Sequence, residues 1–92
     1  MQNMKDIIKE TVVSTLNYRI EISDITDETN LLNDLNIDSL AYVQIIIELE
    51  EKFNIEMDDE IMDLDAMQIY NNFVNAIIKE VSKKNTGMGG EL

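Results

Sequence analysis

Apolar side chains at Met4, Ile7, Ile8, Val12, Val13 and Leu16 recur at three- and four-residue spacing, which predicts an amphipathic helix with one buried face over Asn3 to Leu16. Tyr18, Ile20 and Ile22 then alternate with polar neighbours as a short strand would, but a lone strand has no partner in this chain. Residues 17–38 are therefore expected to form a long packed loop, pinned by Ile25, Leu31, Leu32, Leu35 and Ile37. Asp38 and Ser39 are good helix-starting residues, and the run Leu40 to Phe53 behind them contains neither glycine nor proline. Asn54 and the acids Asp58, Asp59 and Glu60 break that pattern, after which Ile61, Met62 and Leu64 predict a short third helix. Asp65 and Gln68 have the spacing of a capping box, ahead of Ile69, Tyr70, Phe73, Val74, Ile77, Ile78 and Val81 at helical intervals. All three glycines, Gly87, Gly89 and Gly90, follow Lys83 and Lys84, so a single domain over residues 1–84 and a flexible tail over 85–92 are expected.

The second helix carries two apolar arcs. At about 100° per residue, Tyr42, Ile45, Ile46, Leu49 and Phe53 gather on one side as a core face. Leu40, Val43 and Ile47 gather opposite, among Gln44, Glu48, Glu50 and Glu51, and Ser39 sits beside them. That second stripe is either covered by the long loop or open to a partner with a basic rim and an apolar centre.

Composition narrows the chemistry. An apolar share of 45% against 28% charged is enough to offset ordering entropy, so a folded domain is expected. Nineteen acids against seven bases give a net charge of −12, which repels nucleic acid and anionic lipid and draws in basic protein surfaces. Cysteine and histidine are absent, removing thiolate nucleophiles, imidazole bases and the common zinc ligands. Carboxylates alone make no apparent catalytic apparatus on so small a helical domain, and no enzymatic activity is expected. Asp34, Asn36 and Asp38 have the alternate spacing of calcium-loop ligands, but Ser39 stands where glycine is required and Ile45 where a bidentate glutamate is, so no metal site is expected. No apolar stretch reaches membrane-spanning length and no leader pattern opens the chain, which suggests a cytoplasmic protein, read here as a monomer.

The run Leu32-Asn33-Asp34-Leu35-Asn36-Ile37-Asp38-Ser39-Leu40, leading into the two-faced helix, resembles the phosphopantetheine attachment region of acyl carrier proteins. The likeness extends over about residues 3–82. Asp38-Ser39-Leu40 is short and common by itself; its position after a long loop and at the head of the second helix makes it specific. The resemblance implies an all-α, four-helix bundle with a long loop between helices 1 and 2 and a short helix 3. It implies that a phosphopantetheinyl transferase, using coenzyme A and magnesium, places 4′-phosphopantetheine on Ser39 and reads Asp38 and Leu40. It further implies docking through Leu40, Val43, Ile47, Glu48, Glu50 and Glu51 to acyl-loading, acyl-transfer and condensing enzymes. A phosphodiester on Ser39 would sit near the positive end of a helix, and a cysteine-free chain needs a borrowed thiol to hold a thioester.

Two positions depart from carriers of fatty acid synthesis. Asn36 stands where those have glycine, and Ala41 and Gln44 stand where they have acids. Asparagine is the next best residue for a left-handed turn, so the backbone there is expected to survive. The missing acids point to a dedicated pathway, such as polyketide, hybrid peptide or modified amino acid assembly, at least as strongly as to fatty acid elongation. The alternative is an acidic adaptor that binds a basic partner without modification.

Overall fold

Three α-helices, α1 (Met4–Thr15), α2 (Ser39–Phe53) and α3 (Tyr70–Gly90), and a 3-10 turn at Ile22–Asp24 form the regular structure of this computed structural model, which describes residues 3–17 and 19–90 and side chains as far as Lys83. The protein is all-α: among the described residues the only sheet-like pairing is a single antiparallel bridge between Asn30 and Ile69. Each of the first two helices is started by the side chain expected of such a position. Asn3 Oδ1 accepts the Asp6 amide at 2.9 Å, and Asp38 Oδ1 accepts the Ala41 amide at 2.8 Å.

The periodic apolar positions meet in one core. Ile8, Val12, Val13 and Leu16 of the first helix region pack with Tyr42, Ile45, Ile46 and Leu49 of α2 and with Tyr70, Phe73, Val74, Ile77 and Val81 of α3. Met4, Phe53 and Ile78 are half-buried at its edges, and Ile69 is exposed beside the bridge. Thr11 is the one polar residue of α1 that faces inward, and its hydroxyl donates to the Ile7 carbonyl at 2.8 Å, so its burial leaves no orphaned group.

Between α1 and α2 the described residues form no strand, and the connection is held by Ile25, Leu31, Leu35 and Ile37, all buried. Three of its backbone groups are paired across the fold. The Leu31 amide donates to the Gln68 carbonyl at 2.7 Å, while the Tyr70 and Asn71 amides donate back to the Thr29 and Asp27 carbonyls at 2.8 and 2.9 Å. These last bonds replace the predicted Asp65–Gln68 capping box: the helix begins at Tyr70, where loop carbonyls take its first amides, and Gln68 Oε1 instead accepts Asn30 Nδ2 at 3.2 Å.

The expected short third helix is also replaced. Residues 58–67 form successive turns with amide bonds from Ile61 to Asp58, Met62 to Asp59 and Met67 to Leu64, each at 3.0 Å. Asp63 Oδ1 accepts the Asp65 amide at 3.1 Å, an aspartate turn that competes with helix propagation. The helix α3 runs on through Gly90, over the segment where a tail from residue 85 is expected; residues 91–92 lie outside the described residues. On its exposed side, Lys83 Nζ contacts Asp58 at 3.2 Å and Glu80 at 3.1 Å. The hydrogen bond to Glu80 raises the lysine's pKa, and the bond from Lys83 lowers that of Asp58.

Three asparagines take left-handed backbone: Asn17 after α1, Asn36 before α2 and Asn54 as the C-cap of α2, with φ of 57°, 55° and 55°. A residue with a Cβ pays about 1–2 kcal/mol there, least for asparagine. Asn36→Ala should therefore destabilise the fold by about 1 kcal/mol in urea denaturation, while Asn36→Gly stays within about 1 kcal/mol of the parent.

Two tyrosines share the core with opposite hydrogen-bond fates. The Tyr42 hydroxyl donates to the Ile61 carbonyl, and its ring lies 5.7 Å from that of Phe73. The Tyr70 hydroxyl is buried and has no partner among the described residues. Burial raises both phenol pKa values above the ordinary 10.0, reinforced by Asp63 for Tyr42 and by Asp27 for Tyr70. The folded chain thus holds these protons more firmly than the unfolded chain, so stability is complete below pH 10 and falls as pH rises beyond it. Tyr42→Phe should cost about 1–3 kcal/mol by stranding the Ile61 carbonyl, whereas Tyr70→Phe should be neutral or stabilising. Each variant should lose less stability than the parent between pH 9 and 11, followed by circular dichroism across that roughly two-unit window.

Candidate functional site

Ser39 owes its position to the residues on either side. Ile37 is buried and donates its amide to the Leu31 carbonyl at 3.0 Å, and Tyr42 is buried with its hydroxyl tied to Ile61. Between these anchors, the left-handed Asn36 turns the chain outward and Asp38 caps the helix, leaving Asp38, Ser39 and Leu40 exposed. Ser39 is the first residue of α2, not its cap. Its hydroxyl makes no hydrogen bond among the described residues, and the amides of Ser39 and Leu40 find no acceptor there.

Ser39 opens onto a groove of about 460 Å³. Leu32, Val43, Met62 and Leu64 supply its apolar wall, the Tyr42 ring its base, and Asp38, Asp63 and Asp65 its acids. An anion esterified to Ser39 meets two opposing fields. The free amides and the positive end of α2 attract it, while the three carboxylates repel it. A phosphodiester fits where it faces the amides and turns away from the carboxylates, since Ser39 is exposed at the groove.

The second apolar stripe of α2 is not covered by the loop. Leu40 is 75% exposed and Ile47 46%, while Val43 is half-buried against the Ser39 groove. Glu48 and Glu51 are exposed. Glu50 departs from its expected place on the rim: it is half-buried, and Oε2 accepts the Met57 amide at 2.8 Å, fastening the turn that follows α2. Periodicity carries no signal for a bond between residues seven apart across a helix end. Asp63 and Asp65, which share the groove with Ser39, were likewise hidden, because only the turns of residues 58–67 bring them there.

Among the described residues, no group of three or more carboxylate side chains is placed to hold a metal ion, and no helix is long and apolar enough to cross a membrane. A family model described as a phosphopantetheine attachment site matches residues 6–70, more than half of the chain and the stretch that contains the Ser39 groove. Acyl carrier proteins are among the similar curated sequences. That of Buchnera aphidicola subsp. Schizaphis graminum is 35% identical over 92% of this chain and 98% of its own length. That of Wolinella succinogenes is 47% identical over 60% of this chain and 70% of its own, and that of Buchnera aphidicola subsp. Baizongia pistaciae is 47% identical over 65% and 74%. On this match the chain belongs to the acyl carrier protein family: a carrier, not a catalyst, that bears covalent 4′-phosphopantetheine and works with a phosphopantetheinyl transferase and biosynthetic enzymes.

Proposed function

We propose that Ser39 carries the 4′-phosphopantetheine arm and that the chain serves a dedicated biosynthetic pathway in preference to general fatty acid elongation. The observation that carries the first part is the state of Ser39: an exposed, unengaged hydroxyl on a helix start anchored at both Ile37 and Tyr42. A transferase needs such a hydroxyl to be accessible and held in one place. Asp38 and Leu40 flank it, and both are exposed for recognition, although the Asp38 carboxylate also caps α2.

The dedicated role is supported by the first turn of α2, which has no acidic residue; Ala41 and Gln44 leave the head of the helix apolar and neutral. An enzyme surface that reads acids at those positions finds none here, and specificity depends on such differences. Docking is assigned to Leu40, Val43 and Ile47 with Glu48 and Glu51, and Glu50 is assigned chiefly to holding Met57. Cargo is an acyl, aminoacyl or polyketide chain held as a thioester. The working form is a monomer that loading, acyl-transfer and condensing enzymes approach with basic surfaces.

Incubation with a transferase, coenzyme A and magnesium should raise the intact mass by one phosphopantetheine, and Ser39→Ala should abolish the gain. An unmodified parent, or a gain that survives in the variant, rules out attachment at Ser39. Since Ser39 is not the cap, the substitution should change stability by no more than about 0.5 kcal/mol. Glu51→Lys should slow the modification roughly threefold at low salt, with the difference shrinking as salt screens it.

A further inference from the structure

Tyr42 stands between the Ser39 groove and the core. Of the residues lining that groove it is the least exposed, at 1% against 9% for Leu64, so its ring is the floor. We propose that this floor keeps cargo out of the bundle: the group carried is a short acyl thioester that stays in the groove or in solvent, and Tyr42 is the residue that sets the limit. The inference deepens the reading of Ser39 as the attachment point and rests on it.

The floor is held from two directions. The Tyr42 hydroxyl donates to the Ile61 carbonyl, which ties the first turn of α2 to the turns that supply Met62, Asp63, Leu64 and Asp65 to the groove. Behind the ring lies Phe73, fully buried, with its centroid 5.7 Å away, and Tyr70 packs on Phe73 in turn at 6.2 Å. Neither Phe73 nor Tyr70 lines the groove, which therefore ends at Tyr42.

A hydrocarbon chain longer than the groove has to displace this ring. Displacement breaks the bond to Ile61 and leaves a buried carbonyl without a donor, and an acyl tail has no polar hydrogen with which to replace it. It also separates two aromatic rings in a close-packed core. The groove itself gives a long chain little shelter instead. Its volume of about 460 Å³ is shared with the arm, and the exposed Asp38, Asp63 and Asp65 keep its rim hydrated. A short group loses little by staying there, whereas each further methylene of a long one remains in water.

The dependence of stability on cargo length tests this on the full chain. Acetyl, butyryl and octanoyl forms are prepared with a transferase from the corresponding coenzyme A thioesters, and intact mass establishes one group per chain, absent from Ser39→Ala. The three parent forms should melt within about 2 °C of one another. The amide shifts that separate octanoyl from acetyl should stay among groove residues and leave Phe73 and Ile77 unmoved. Tyr42→Ala should open the floor, so that its octanoyl form melts roughly 5 °C or more above its acetyl form, with shifts at Phe73 and Ile77. Tyr42→Leu, a smaller truncation, should show the same order if the alanine variant does not fold, and the parent series decides alone if neither does. A parent whose melting temperature climbs with cargo length overturns the inference, as does a folded Tyr42 variant whose melting temperature ignores it. Without a mass gain at Ser39 the attachment reading fails and takes this one with it; with the gain and a climbing parent series, this one alone fails.

Discussion

The long connection between α1 and α2 is fastened to the start of α3 by backbone bonds running in both directions, and the presentation of Ser39 depends on them. Leu31 gives its amide to the Gln68 carbonyl, and the first amides of α3 go to Thr29 and Asp27. Buried backbone groups have to be paired, and while local turns pair several amides within the connection, the amide of the fully buried Leu31 finds its acceptor at the approach to α3. Meeting that demand at α3 holds Leu31 in the core, and the Leu31 carbonyl then takes the Ile37 amide two residues before Ser39. Ser39, the proposed attachment residue, is thus coupled to the start of α3 through a short series of amides.

The same coupling explains which parts of the fold could be read from the residues and which could not. The core faces of all three helices were legible, because burial of one side of a helix imposes a 3.6-residue period that Ile8, Val12, Ile45, Leu49, Phe73 and Ile77 obey. The left-handed turn at Asn36 was legible for a local reason, the tolerance of asparagine for that conformation. The start of α3 was not. Asp65 and Gln68 satisfy the local rule for a capping box, but distant loop carbonyls reach the helix amides instead and release Gln68 to hold Asn30. The expected third helix failed similarly, since Ile61, Met62 and Leu64 hint at helix while Asp63 closes an aspartate turn against it. At the candidate site, Ser39 and Leu40 were legible, whereas the neighbouring acids Asp63 and Asp65 became visible only in three dimensions.

Charge is distributed as unevenly as structure. Of the few basic residues, Lys83 is held by Asp58 and Glu80 on α3, and Arg19 is turned to the Leu16 carbonyl. Glu48 and Glu51 stand on α2 without an ion pair among the described residues, so the face that carries the apolar stripe also carries unpaired acids. Attraction of a basic partner and exposure of Leu40 and Ile47 therefore coincide on one surface, where long-range steering and short-range affinity act in sequence.

The three left-handed asparagines bear on the unfolded chain as well. Each sits at a place where glycine is the commonest choice, yet no glycine occurs before residue 87. Glycine at a turn relieves strain in the native form but widens the conformational freedom of the denatured ensemble, and the two effects are of similar size. By using asparagine, this domain accepts slight local tension in exchange for a narrower set of competing conformers. For a small molecule that repels itself strongly, that restriction moves part of its stability out of the contacts visible in the native form and into the alternatives it no longer has.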